Sequence, residues 1–103
     1  MARIELSFYD KNYTIEYNRM SVKEFLMNKD KGDELDKAVT LIKCGLKMHH
    51  ADDMPSDADI LGWVMALGEG LDDFAKALTG MIQDVISVLE TDRKNLKWGK
   101  VEA

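Results

Sequence analysis

The sequence has little cysteine, little proline and no long apolar run. Among its 103 residues there is one cysteine, Cys44, and one proline, Pro55. A single cysteine excludes an intrachain disulfide and is typical of a protein made for a reducing cytoplasm. No stretch approaches the roughly 18 apolar residues that a membrane-spanning helix needs. The N-terminal MARIELSFYD has no apolar signal region, so we expect a soluble cytoplasmic protein without membrane contact.

The chain also has no excess of basic residues. The chain has 14 lysines and arginines against 19 aspartates and glutamates, which gives a net charge of −5. A general nucleic-acid-binding protein needs a basic face to neutralise phosphates, so the charge argues against that class. The length is sufficient for one domain with a single hydrophobic core and too short for two.

Catalytic and metal-binding motifs are not evident. His49 and His50 precede Asp52 and Asp53, but adjacent histidines at a helix end point in different directions, and no third ligand follows at helical spacing. Histidine is also favoured at helix C-termini, which is the interpretation we adopt. Cys44 has no catalytic histidine pattern near it and is interpreted as a small core residue. We expect no enzyme activity, no catalytic residues, no metal and no cofactor.

Residues 3–17 carry the only clear alternation of apolar and polar side chains. Two β-prone runs flank the polar residues of segment 9–12, which predicts a β-hairpin. An isolated hairpin is marginally stable in water, so a helix should cover its apolar face. We expect the long amphipathic helix over residues 72–90 to be that cover.

Helical periodicity and helix caps indicate the remaining elements. Ser21 with Glu24, and Ser56 with Asp59, have the spacing of N-terminal capping motifs. The predicted helices span about 22–28, 34–49, 57–67 and 72–90. The predicted fold is α+β: one domain over residues 1–91, in which an N-terminal β-hairpin packs on a bundle of three to four α-helices, followed by a short C-terminal tail, 92–103.

The tail has a different composition from the body of the chain. Residues 92–103 hold four basic and two acidic residues, so their balance is +2 and the rest of the chain carries −7. Leu96 and Trp98 alternate with lysines. Two interpretations stay open: a short strand or arm that docks on the domain, or a disordered end.

Three residues are candidates for contact with a partner protein: Trp63, Met65 and Trp98. On the third helix Trp63 falls about 100° from the direction of its apolar stripe, which places it at a rim where it could anchor a partner. Methionines occur in every helical segment. Methionine suits both irregular cores and adaptable binding grooves, and we favour the core interpretation for most of them.

The two ends of the chain resemble a known family. The N-terminal LSFYDKNYTIEYNRMSVKEF and the C-terminal NLKWGKV resemble the tail assembly chaperones of long-tailed phages and prophages of Gram-positive bacteria. The residues that match the opening pattern of that family are Phe8, Asp10, Lys11, Tyr13, Thr14, Ile15, Tyr17, Arg19 and Ser21. The ending departs from the family, because Trp98-Gly99-Lys100 stands where further polar and aromatic residues are expected.

The resemblance implies a non-enzymatic role in virion morphogenesis. Such chaperones bind and solubilise the tape measure protein in the host cytoplasm, before tail tube proteins polymerise around it, and they are absent from the mature virion. A longer form made by ribosomal frameshifting often recruits the tail tube protein. Because such chaperones coat the tape measure protein in many copies, the resemblance is also compatible with a homo-oligomer.

Two other classes of protein remain as the main alternatives, and an enzyme is a third that the lack of converging polar groups disfavours. One is a small cytoplasmic adaptor or regulatory domain that forms a homodimer or binds one folded partner. The other is a nucleic-acid module that uses the basic tail and a stacking Trp98, although four basic residues in the tail predict little binding.

Overall fold

The computed structural model describes residues 2–101, and its architecture is the predicted α+β fold. Met1, Glu102 and Ala103 lie outside the described residues, so the last two positions of the predicted tail are not covered. A two-stranded hairpin is followed by four α-helices, with one short 3-10 turn, Gly68–Gly70, before the last helix. The elements are β1 (Ile4–Phe8), β2 (Lys11–Ile15), α1 (Arg19–Asn28), α2 (Glu34–His50), α3 (Asp57–Leu67) and α4 (Leu71–Asn95).

The predicted hairpin is confirmed. The strands pair antiparallel, with Ile4 opposite Ile15 at one end and Phe8 opposite Lys11 at the other. Tyr9 and Asp10 form the two-residue turn and both have positive φ angles, 47° and 64°. Two consecutive left-handed residues match the right-handed twist of the strands, which is why tight hairpins favour this kind of turn.

The helix that covers the hairpin is α2, so the prediction that the long helix would be its main cover is wrong. Strand β2 lies against the middle of α2, where Gly45 has no side chain to hold the two backbones apart. The Glu16 backbone N–H donates to the Gly45 carbonyl at 2.9 Å, which joins the end of the hairpin directly to the helix. A Cβ at position 45 would lie 2.5 Å from Ile15 Cγ2 and 2.8 Å from Tyr17 Cζ. The absence of a side chain at Gly45 therefore selects α2 as the surface on which the hairpin packs.

Helix α1 begins earlier than predicted. Its N-cap is Asn18, whose Oδ1 accepts from the Ser21 backbone N–H at 2.8 Å and from the Ser21 hydroxyl at 3.0 Å. Ser21 thus lies inside the first turn and is not the cap, because asparagine is as good an N-cap as serine and precedes it by one turn. The extra turn places Arg19 where its guanidinium pairs with Asp92 of α4.

Helices α2 and α3 agree with their predicted ranges to within one residue. In α2 the Asp33 side chain accepts from the Asp36 N–H, and the Asp36 side chain accepts from the Asp33 N–H, which completes a capping box. In α3 the Ser56 hydroxyl accepts from the Asp59 N–H at 3.1 Å, as the sequence predicts. Both helix starts are therefore determined by local side-chain chemistry.

Helix α4 continues five residues beyond its predicted end, so residues 92–95 are helical and are not part of a tail. Its buried side chains, Leu78, Met81, Ile82 and Val85, all lie in the middle of the helix. The longest dimension of the molecule is 61 Å, against 27 and 25 Å for the other two. Within the described residues no helix is both long and apolar enough to cross a membrane.

Candidate partner-binding surfaces

Trp63 is a core residue, so its predicted place at an exposed rim is wrong. Its side chain is 4% exposed. The indole ring lies 4.9 Å from the Tyr13 ring and 5.9 Å from the Phe8 ring, measured between centroids. The helical-wheel argument assumed a narrow buried stripe on α3. Helix α2 packs along α3, and the Phe8 and Tyr13 rings of the hairpin pack on Trp63 itself, so the buried arc of α3 is wide enough to include Trp63.

The side of α3 opposite this core is apolar as well. From Ile60 to Gly68 the chain contains no charged residue. Ala58, Gly62, Met65 and Ala66 are exposed, with Leu61 partly exposed beside them. We call these five residues the α3 outer face. A helix that is apolar on both sides is usually covered on both sides, and within residues 2–101 nothing covers this one.

Met65 is the centre of the α3 outer face. Its side chain is 67% exposed, which agrees with its selection as a candidate contact residue. A Cβ added to Gly62 would meet nothing within 4 Å, so the surface beside Met65 is open. The small side chains around the methionine leave a shallow surface on which a large apolar side chain could lie.

The core interpretation of the methionines is wrong for most of them. Met81 is buried and Met54 packs against the core, as expected. The other internal methionines, Met20, Met27, Met48 and Met65, are exposed. Flexible thioether side chains on a surface suit contacts that must adapt to a partner.

Trp98, the third candidate, is 88% exposed. Residues 96–101 form no strand and all of them are exposed, which argues against the docked-arm interpretation for these positions. Leu96 and Val101 are also mostly exposed. Residues 93–101 contain four basic and no acidic residues. We call residues 93–101 the basic segment, which presents three large apolar side chains among positive charges.

A groove lies between α1, α2 and the first turns of α4, and sequence reasoning did not identify it. Its volume is about 570 Å³, and its apolar lining comes from Phe25, Leu35, Ala38, Leu41, Leu71 and Ala75. Lys29 and Lys37 stand at its rim together with acidic side chains, including Asp72. The amphipathic periodicity of α2 includes one residue of the groove, Leu35. This residue belongs to the apolar stripe of the helix but is 42% exposed in the structure. We call this surface the α1–α2–α4 groove.

The two histidines connect the end of α2 to the hairpin. The Thr14 backbone N–H donates to His50 Nε2 at 2.9 Å, while His50 Nδ1 lies 3.1 Å from Asp53 Oδ1. Because Nε2 accepts from the Thr14 N–H, Nδ1 is the ring nitrogen that can donate to Asp53. His49 Nε2 lies 3.0 Å from Glu16 Oε1. Both side chains thus have structural partners on or near strand β2.

Cys44 and Tyr17 are buried near the same junction. Burial raises the pKa of the Cys44 thiol, so the group stays protonated and is a poor nucleophile. Burial also raises the pKa of Tyr17, whose hydroxyl donates to the Leu41 carbonyl at 2.6 Å. Over residues 2–101 no three histidine, cysteine or acidic side chains converge as metal ligands. The thiol of Cys44 and the hydroxyl of Tyr17 therefore contribute to the packing of the hairpin on α2.

Comparison with known proteins identifies no relative of this chain: no family model matches it, and neither do curated proteins or solved structures.

Proposed function

We propose that this chain is a phage tail assembly chaperone that binds and solubilises the tape measure protein during tail morphogenesis. The α1–α2–α4 groove carries the binding part of this proposal. Its six apolar side chains and mixed-charge rim suit the apolar face of an amphipathic helix, which is bound through residues spaced three and four apart. A tape measure protein is largely helical and offers many such faces.

The residues that carry the resemblance have structural roles in this chain, so they concern its fold and not its binding. Tyr13, Ile15 and Tyr17 are buried and hold the hairpin on α2. Arg19 pairs with Asp92, which joins the start of α1 to the end of α4. The shared positions thus account for how the hairpin is attached, and the groove is a separate argument for binding.

The surface chemistry of the chain suits a non-enzymatic holding role. The exposed methionines add adaptable apolar contact area beyond the groove. The net charge of −5 keeps an assembly of many copies soluble. In this role the protein acts in the host cytoplasm and leaves before the virion is complete.

The test is co-expression with a tape measure protein encoded in the same genome. We expect that partner to be soluble, and to co-purify with many copies of this chain, only when both are made together. If the partner's solubility does not change and this chain elutes alone as a discrete monomer or dimer, the adaptor alternative replaces the chaperone proposal.

A matched pair of variants tests the groove itself. Leu35→Gln changes a partly exposed side chain in the groove, and Val88→Gln changes a similarly exposed side chain on α4 outside the groove. We expect Leu35→Gln to reduce co-purification of the partner several-fold, and Val88→Gln to leave it unchanged. Equal effects of the two variants would show that the partner does not bind in the groove.

A further inference from the structure

The hairpin has two outer edges, and α2 lies against that of β2. Because a two-residue turn joins the strands, the pair next to the turn exchanges backbone hydrogen bonds, and bonded pairs then alternate with unbonded ones. The backbone N–H groups of Thr14 and Glu16 therefore point away from β1. They donate to His50 Nε2 and to the Gly45 carbonyl, both at 2.9 Å. Helix α2 thus bonds the N–H groups that this edge directs outward.

Within residues 2–101, the outer edge of β1 has no such cover. By the same alternation, Glu5 and Ser7 direct their backbone N–H and C=O groups away from β2. Strand β2 is the one neighbour of β1 in the sheet, and no hydrogen bond inside the described chain reaches these four groups. Both residues are exposed. A row of unpaired donors and acceptors on an exposed strand is a template for a further strand.

Strand β1 also lacks the features by which edge strands usually prevent pairing, namely proline, lysine and bulges. Its sequence, IELSF, contains neither proline nor lysine. Its five pairs with β2 follow one another without a bulge. The charge of Glu5 is offset by that of Arg3, whose Nε lies 4.0 Å from the Glu5 carboxylate. A strand added at this edge therefore meets none of the usual obstacles.

The side chains of β1 determine what kind of segment fits beside it. Ile4 and Leu6 lie on the core side and are only partly buried, and Phe8 on the same side is 37% exposed. Glu5 and Ser7 lie on the opposite side. A neighbouring strand has the same alternation of sides, so its apolar residues would cover the first three side chains and its polar residues would lie beside the other two. A helix cannot pair with this edge, because its own backbone groups are bonded internally.

We propose that the open edge of β1 binds an extended segment of a partner protein, which adds to the hairpin as a third, antiparallel strand. The segment alternates apolar and polar residues, and its backbone exchanges hydrogen bonds with Glu5 and Ser7. Antiparallel pairing is the more stable arrangement per residue. This inference does not depend on the proposed function, because the α1–α2–α4 groove lies on other elements and suits a helix.

The experiment follows amide hydrogen exchange by NMR in the full-length chain. The probe is a synthetic nine-residue peptide with capped ends, in which valine alternates with threonine and a lysine at each end keeps it soluble. Without peptide, we expect the Glu5 and Ser7 amides to exchange much faster than that of Leu6, which is bonded to Tyr13. Millimolar peptide should shift the Glu5 and Ser7 signals and slow their exchange at least tenfold. Unchanged exchange at these two positions would overturn the proposal.

A modified peptide separates backbone pairing from side-chain contacts. The same peptide with N-methyl groups on its threonines keeps every side chain, but it loses the N–H groups that face Glu5 and Ser7 in the proposed pairing. We expect it to bind at least tenfold more weakly than the unmodified peptide. Equal binding of the two peptides would show that no ladder forms at this edge.

A matched pair of protein variants blocks the same edge from the other side. Ser7→Pro removes an outward N–H that the hairpin does not use, and an edge strand tolerates proline at such a position. Ser7→Ala keeps that N–H. We expect Ser7→Pro to weaken peptide binding at least tenfold and Ser7→Ala to bind like the unmodified protein. An unchanged Thr14 amide signal shows that the hairpin stays on α2, because that amide donates to His50.

A second copy of this chain is the other possible occupant of the edge. If it were the occupant, the Glu5 and Ser7 amides would become protected as the protein concentration rises, without any peptide. That result would overturn the proposal of a separate partner. We expect their exchange to be independent of protein concentration.

Discussion

Two segments at opposite ends of the chain show the same alternation but have different environments. Tyr13, Ile15 and Tyr17 alternate with polar residues and are buried against α2. Leu96 and Trp98 alternate with lysines and are exposed. Alternation indicates that a segment has one apolar side, and it does not say whether a surface exists to cover that side. The hairpin has such a surface because Gly45 lets the backbones of β2 and α2 approach closely.

The largest expected effect comes from adding a side chain at Gly45, which should remove the surface that covers the hairpin. In Gly45→Ala the new methyl group would overlap with Ile15 and Tyr17, so the hairpin must move away from α2. We expect the free energy of unfolding to fall by about 2–3 kcal/mol, measured by urea denaturation.

Gly80→Ala is the matched control for that experiment. Gly80 also lies within a helix, but a Cβ there meets nothing within 4 Å. We expect the control to be more stable than the unmodified protein by up to about 1 kcal/mol, because alanine is the better helix former. If Gly45→Ala is stabilised to the same degree, the close approach does not hold the hairpin.

A smaller change at the same junction removes one hydrogen bond. Tyr17→Phe deletes the hydroxyl that donates to the Leu41 carbonyl, and we expect a loss of about 1 kcal/mol in the free energy of unfolding at neutral pH. The carbonyl lies within α2, one turn before Gly45, so the fold should persist.

The same variant has an expected pH dependence. Burial raises the pKa of Tyr17 in the folded state, so folding favours the neutral phenol. That contribution is complete below the unfolded pKa of about 10 and is lost as the pH rises above it. Unfolding curves should show the stability of the unmodified protein falling more steeply above pH 10 than that of Tyr17→Phe. Parallel curves would mean that the Tyr17 hydroxyl is solvated.

The smallest expected effect is at Trp98, in the exposed C-terminal segment. Because Trp98 packs against nothing in the described chain, Trp98→Ala should change the free energy of unfolding by less than about 0.5 kcal/mol, measured under dilute conditions. The remaining tryptophan, Trp63, is buried, so iodide should barely quench the fluorescence of this variant. Strong quenching would place Trp63 at the surface after all.

Local chemistry in the sequence predicted most of the elements. The alternation over 3–17 predicted the hairpin, and Ser56 predicted the start of α3. The start of α1 was predicted one turn too late, because Asn18 and Ser21 are both suitable N-caps. The earlier start is accompanied by burial of Val22 and by the ion pair of Arg19 with Asp92. The overrun of α4 has a related cause, since residues 91–95 contain no glycine or proline that would end a helix.

The candidate surfaces were less predictable. Met65 is exposed, as a contact residue should be. Trp98 is exposed as well, although the sequence left a docked arm equally open, and Trp63 is buried. A helical wheel gives the angle between side chains but does not give the number of elements that pack around the helix. The α1–α2–α4 groove was missed for the same reason, since part of its lining comes from α4, which is distant in sequence from α1 and α2.

The sequence by itself determined the α+β class, the hairpin, the approximate helix ranges and the division of charge between the basic tail and the acidic rest of the chain. These features depend on neighbouring residues, through alternation, helical period, caps and composition. Only the tertiary structure decided that α2 covers the hairpin, that Trp63 is core and that the α3 outer face and Trp98 are left uncovered. Burial depends on which surfaces meet, and here that is decided by contacts between residues far apart in sequence, such as Gly45 with Ile15 and Tyr17.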